Sequence, residues 1–199
     1  MIGPRSLRVS AAKNMLKLAT IFHRYNTSVS INRPRSVSEI TIMASAHEPG
    51  NPPPWYAAFP APRESQPGGV TREELLKMLK GCDKFADRDF ILVDLRRNDH
   101  EGGTIRGSIN LPAQSLYPTI PTIYDMFKAA GFRKVIWYCS SSRGRGPRAA
   151  GWFSDYIVDS GDEVMESLIL VGGIKGWAIA GGEFLEWMDG YDTAAWSNK

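Results

Sequence analysis

The apolar positions of the chain switch between two periods. Residues 90–95 (FILVDL), 134–139 (KVIWYC) and 165–171 (MESLILV) are short, nearly unbroken apolar runs, as expected of strands buried on both faces. A weaker run, GSINLP over 107–112, predicts a brief strand stopped by Pro112. The segments between follow helical spacing. Thr71 precedes a stripe of Leu75, Leu76 and Leu79, and Glu74 stands three residues after it, the spacing of a capping box. A second helix is predicted over about 120–130, ending at Gly131. A third runs through GPRAAGWFSDYIVDSG, with Pro147 in its first turn, Trp152, Phe153, Tyr156 and Ile157 on one face, and Gly161 closing it. Strands alternating with helices predict an α/β fold with a parallel sheet.

Composition divides the chain. Residues 1–43 carry seven Lys or Arg and one acid, Glu39, among many serines and scattered Leu, Ile and Phe. This is the make-up of a mitochondrial transit peptide. The alternative reading places the start at Met43, which makes the protein cytoplasmic or nuclear instead of mitochondrial. Neither predicts a folded unit there. Residues 44–69 read as an extended arm, since 48–69 hold seven Pro and three Gly among 22 positions. Trp55, Tyr56 and Phe59 are expected to pin that arm to the domain. The domain itself is expected over 70–191, with 192–199 as a tail.

The net charge of +3 arises in residues 1–43, so the rest is net negative and lacks the basic footprint of a nucleic-acid binder. No apolar run approaches the roughly 20 residues needed to cross a bilayer. Two cysteines, Cys82 and Cys139, fit a reducing compartment better than a disulfide scaffold. The three histidines, His23, His47 and His100, do not make a convincing structural zinc site. No metal or cofactor is expected.

The segment CSSSRGR, 139–145, carries the chemistry. A buried strand delivers Cys139 to the carboxyl edge of a parallel sheet, where α/β ligand sites form. Five residues later stands Arg145, and a helix follows at Gly146-Pro147. A helix N-terminus and nearby guanidinium groups favour thiolate over thiol. The amides of a tightly curled loop can converge on anionic oxygens, and the Arg145 fork pairs with two oxygens of a phosphate-like group. Ser140, Ser141, Ser142, Arg143 and Gly144 make up the rest of that cradle. Gly144, Gly146 and Ala149 also match a G-x-G-x-x-A dinucleotide fingerprint. Ser140–Arg143 separate that match from the strand, however, and about 50 residues follow it, too few to complete a nucleotide-binding unit.

Three segments over about 70–190 resemble the rhodanese-homology domains of the M-phase inducer phosphatase and eukaryotic arsenate reductase branch. They are ILVDLRRNDHEGGTIRGSINLP, with Asp94 and Arg96; CSSSRGRGPR; and VGGIKGW, 171–177. The resemblance implies a sheet of about five strands flanked by helices. It also implies a Cys139 nucleophile, an Arg145 oxyanion anchor and loop amides holding the other oxygens. Sulfur-transferring relatives have a loop one residue shorter, so the longer loop implies phosphate or arsenate. Tyr138 and Thr104 stand where the phosphatases usually have His, and Leu95 where they have a second cysteine. Ser140 and Gly144 replace acidic loop residues, which brings the loop closer to the arsenate reductases.

The expected function is a cysteine-dependent phosphatase of the tyrosine or dual-specificity type, acting through cysteinyl phosphate on a phosphorylated protein or small oxyanion. The first alternative is an arsenate reductase with glutathione as co-substrate. Sulfurtransferase and non-catalytic binding module follow. Asp94 and Arg96 are expected to form a structural network. Asp99, His100 and Glu101 are candidate general acids, Cys82 is a candidate resolving thiol, Arg143 and Arg148 are expected to widen the positive field, and Trp177 is read as core.

Overall fold

A computed structural model describes residues 52–82 and 84–197. The transit-peptide expectation for 1–43 and the first part of the arm lie outside the described residues. In chain order the strands are β1 (Gly69–Val70), β2 (Phe90–Asp94), β3 (Thr104–Ile105), β4 (Ser108–Asn110), β5 (Lys134–Tyr138), β6 (Glu166–Leu170) and β7 (Met188–Asp189). The helices are α1 (Arg72–Lys80), α2 (Ala113–Leu116), α3 (Ile120–Ala129), α4 (Arg145–Asp159), α5 (Gly173–Ala180), α6 (Glu183–Glu186) and α7 (Thr193–Trp196).

Five strands form one sheet in the order β1-β6-β5-β2-β4, every neighbouring pair parallel. The three strong apolar runs became β2, β5 and β6, and the weaker one became β4. Strand β1 was not predicted. Its two residues are too few to show a period, and they are recruited by pairing Gly69 and Val70 with Ile169 and Leu170 of β6. A small second sheet joins β3 antiparallel to β7.

Alternation along the central strands feeds two cores. Ile91, Val93 and Leu95, with Val135, Trp137 and Cys139, pack on one face against α2, α3 and α4. Phe90, Leu92, Ile136 and Tyr138 pack on the other against α1 and α5. The capping box of α1 forms as predicted: the Glu74 amide donates to Thr71 Oγ1 at 3.2 Å and the Thr71 amide donates to Glu74 Oε2 at 2.8 Å. Trp177 is core, and its Nε1 donates to the Phe184 carbonyl at 2.7 Å.

The arm is tied down more firmly than an extended linker. Residues Trp55–Ala58 form a 3-10 turn, and the rings of Trp55 and Phe59 meet that of Trp152 edge-on at 6.1 and 5.9 Å. Trp152 Nε1 donates to the Pro60 carbonyl at 2.7 Å, and the Arg63 amide donates to Asp155 Oδ2 at 2.8 Å. The C-terminal segment also docks: Asp192 caps α7, and Trp196 Nε1 donates to the Gly102 carbonyl at 2.7 Å. Among the described residues, 55–64 and 192–196 therefore pack on the domain, outside the 70–191 span expected from the sequence.

Gly151 of α4 permits the arm's approach. A Cβ there would stand 2.3 Å from the Glu64 carbonyl oxygen and 2.8 Å from Pro62 Cβ. Gly151→Ala is therefore expected to lift the arm without melting the sheet, at an overpacking cost of about 1–3 kcal/mol. Limited proteolysis checks this: cleavage within 52–67 should accelerate, while the far-ultraviolet circular dichroism of the folded protein stays the same.

Candidate active site

Cys139 follows the last residue of β5 and is 3% exposed, on the face of the sheet that carries α4. The chain then reverses over Ser140–Gly144, and α4 begins at Arg145 itself, with Gly144 as its cap. The reversal places Ser142 at φ 52°, left-handed backbone that costs a non-glycine residue roughly 1–2 kcal/mol. Its hydroxyl is buried without a hydrogen-bond partner. Gly146 packs closely against it: a Cβ there would lie 3.2 Å from Ser142 Cβ, a tight contact that the loop would have to yield to.

The motif VGGIKGW, known from the sequence only as a pattern, explains how the loop is held. Gly172-Gly173 turns the chain into α5, whose first amides reach back to the loop. Ile174 donates to the Cys139 carbonyl at 3.0 Å and Lys175 to the Ser140 carbonyl at 2.9 Å. Gly173 adopts φ 59°, and a Cβ there would lie 2.4 Å from the Cys139 carbonyl oxygen. These carbonyls are thus turned toward α5. The amides of Ser140–Gly144 donate no backbone hydrogen bond among the described residues.

Above the sulfur lies a cavity of about 440 Å³, lined by Trp55, Tyr56, Gln114, Cys139, Ser140, Ser141, Gly144, Arg145 and Arg148. The sequence reading anticipated Cys139, Ser140, Ser141, Gly144 and Arg145. Ser142 and Arg143 do not line the cavity: Ser142 is buried, and Arg143 is exposed. Gln114 of α2, Trp55 and Tyr56 were missed as site residues. Trp55 and Tyr56 do pin the arm, but they also wall the cavity. Arg148 was expected to act only through its field; it lines the cavity and stacks 3.7 Å from the centre of the Tyr56 ring. Only the Pro-rich spacing that let the arm fold back hinted at these partners.

None of the acid candidates Asp99, His100 and Glu101 lines the cavity. Arg145 Nη1 and Nη2 donate to Asp99 Oδ1 and Oδ2 at 2.8 and 2.5 Å. The Arg145 guanidinium holds the Asp99 carboxyl well below the usual carboxylate range, so it is ionised and no proton donor. Asp99, and to a lesser degree Cys139, in turn holds the Arg145 guanidinium above its ordinary value. His100 Nε2 lies 3.3 Å from Asp94 Oδ2, and the Glu101 carbonyl accepts from Arg96 Nη1 at 3.1 Å. Asp94 and Arg96 form the expected structural network, both almost wholly buried and paired at 2.7 Å. The two departures at Tyr138 and Thr104 meet each other: their hydroxyls lie 2.7 Å apart, and Tyr138 also bonds Ser108 Oγ at 2.7 Å. Burial, followed by the Asp94 charge, pushes the Tyr138 phenol far up, so it stays neutral. Cys82 belongs to the core on the other face of the sheet from Cys139.

Residues 71–180 match the family model of the rhodanese-like domain. The chain belongs to that family. This rhodanese-like protein is 34% identical over 108 residues to arsenical-resistance protein 2 of Saccharomyces cerevisiae, covering 51% of its own length and 83% of that relative. It is 30% identical over 93 residues to dual specificity phosphatase ibp1 of Schizosaccharomyces pombe, covering 46% and 65%. Among solved structures, Ygr203w, a yeast protein tyrosine phosphatase of the rhodanese family, superposes with a TM-score of 0.55 at 24% identity, over 65% of this chain and 96% of that one. The chain is also 27% identical over 116 residues to arsenate reductase 2.1 of Oryza sativa subsp. japonica, covering 56% and 68%, so the homologues of this rhodanese-like domain include an arsenate reductase and a dual specificity phosphatase.

Proposed function

We infer that this rhodanese-like domain reduces arsenate through Cys139, with an external thiol as reductant. One observation carries the choice: among the nine residues lining the cavity there is no Asp, Glu or His. Hydrolysis of an alkyl phosphate ester benefits from an acid that protonates the departing alcohol. Arsenate brings its own hydroxyl, which leaves as water with the thiol proton. In the first step the Cys139 sulfur bonds arsenic and an arsenic–oxygen bond breaks. Arg145 and the loop amides hold the remaining oxygens. A glutathione-type thiol then attacks the Cys139 sulfur. A disulfide forms, the sulfur–arsenic bond breaks, and its electron pair reduces arsenic to arsenite. A second thiol frees Cys139. Cys82, in the opposite core, is badly placed for that last role, so both reducing thiols come from outside the chain. The 34% identity to an arsenical-resistance protein supports this reading.

The aromatic wall favours a second reading, an aryl phosphatase. Trp55 and Tyr56 offer stacking surface to an aryl ester, and an aryloxide leaves with little need of an acid. One panel on the full chain separates the readings: glutathione-dependent arsenite formation, hydrolysis of p-nitrophenyl phosphate, hydrolysis of an alkyl phosphate, and thiosulfate-to-cyanide sulfur transfer. Arsenite is the expected product, with no turnover of the alkyl ester. Hydrolysis of p-nitrophenyl phosphate without arsenite selects the second reading. Alkyl ester hydrolysis faster than arsenate reduction overturns the argument from the missing acid.

A further inference from the structure

The guanidinium expected to anchor the substrate already holds an anion. Both of its terminal nitrogens donate to Asp99, one to each carboxylate oxygen. This fork-to-fork pairing is also the one a phosphate-like group seeks. The carboxylate is presented deliberately. The Arg97 amide donates to Asp99 Oδ1 at 3.1 Å, and the Asp99 carbonyl accepts from Arg96 Nη1 at 3.4 Å. Arg96 is itself fixed by the buried pair with Asp94.

The two ion pairs of this loop differ in one decisive respect. Asp94 and Arg96 are 0% and 1% exposed, so neither can part from the other without stranding a buried charge. Asp99 and Arg145 are 41% and 21% exposed. Water already reaches the Asp99 carboxylate, so its release costs little, and a pair this open contributes only modestly to stability. The Asp99–Arg145 contact is therefore exchangeable, and Arg145 lines the same cavity as Cys139.

We propose that Asp99 is an internal competitor for the oxyanion site: a tetrahedral anion binds by taking the Arg145 fork from the Asp99 carboxylate. The proposal rests on the reading of Arg145 as oxyanion anchor. It makes Asp99 a determinant of affinity and of selectivity. A doubly charged oxyanion displaces a single carboxylate readily, whereas a neutral molecule leaves the fork closed. The opposing role is purely one of positioning, in which Asp99 aims Arg145 and helps every anion to bind.

Calorimetric titration of inorganic phosphate into the full chain distinguishes the two. Asp99→Asn keeps the shape and an acceptor for Arg145 but removes the charge. It is expected to bind phosphate about fivefold or more tightly than wild type, and Asp99→Ser should move in the same direction. Unchanged or weaker binding by both variants overturns the competitor role. Arg145→Gln is the control on the underlying reading and is expected to lose phosphate binding. If Arg145→Gln binds as wild type does, or if no variant binds phosphate, the anchor assignment fails and the proposal with it. Loss in Arg145→Gln without a gain in Asp99→Asn sinks the competitor alone.

Discussion

Cys139→Ser is expected to lower turnover by at least about 10³-fold in whichever oxyanion reaction the wild-type protein catalyses, while phosphate still binds. The expectation follows from separable parts. The sulfur supplies the nucleophile, and its proton is far more easily given up than that of a serine hydroxyl. The loop backbone and Arg145 supply the cradle, and the substitution touches neither. Serine is no larger than cysteine, so the 3% exposed site accepts it without overpacking. Initial rates of arsenite formation and of p-nitrophenyl phosphate hydrolysis, together with a phosphate titration, provide the check. A variant that keeps wild-type rates removes Cys139 from the mechanism. A variant that loses phosphate binding as well shows that the substitution disturbed the loop.

The second large effect concerns stability. Asp94→Ala is expected to cost about 3–5 kcal/mol, because it strands the Arg96 guanidinium in the protein interior. Arg96 is 1% exposed, and three of its contacts with Asp94 lie between 2.7 and 3.1 Å. Thr104 Oγ1 loses the same acceptor, at 3.2 Å. A domain typically has only about 5–15 kcal/mol in hand, so soluble yield should fall. The loss should appear as a lower urea midpoint with an unchanged slope. The consequence extends to the site, since Arg96 organises the loop that carries Asp99 to Arg145. Replacing Asp94 and Arg96 together by Leu and Met is expected to recover part of the stability, because no charge is then stranded. A single Asp94→Ala with a wild-type midpoint contradicts this account of the loop.

How much of the site was legible beforehand depended on chain distance. Cys139, the small loop residues and Arg145 fall within seven positions, so spacing alone pointed to a nucleophile facing a cradle as the candidate site. Asp99 is 46 residues from the guanidinium it holds. Nothing local marks it out from Glu101 or His100, and its removal from the candidate general acids needed the contact with Arg145 in the folded chain. Trp55 and Tyr56 show the same limit from the other side. Their aromaticity and the Pro-rich context predicted attachment to the domain. Lining the cavity was decided by contacts with α4, where Trp55 meets Trp152 and Tyr56 meets Arg148. The C-terminal segment shows a similar limit: Thr193–Trp196 is too short to display a period, and Trp196 reaching Gly102 helps to tie it to the domain.

The sequence by itself determined the α/β alternation, the strong central strands and the Cys139-to-Arg145 spacing, because hydrophobic period, capping and turn chemistry act over a few neighbouring residues. The tertiary structure decided the partners: the carboxylate on Arg145, the amides of α5 that turn the loop carbonyls away, and the aromatic wall brought by the arm. Those contacts join segments tens of residues apart. Their strength depends on burial and geometry that exist only once the chain has closed on itself.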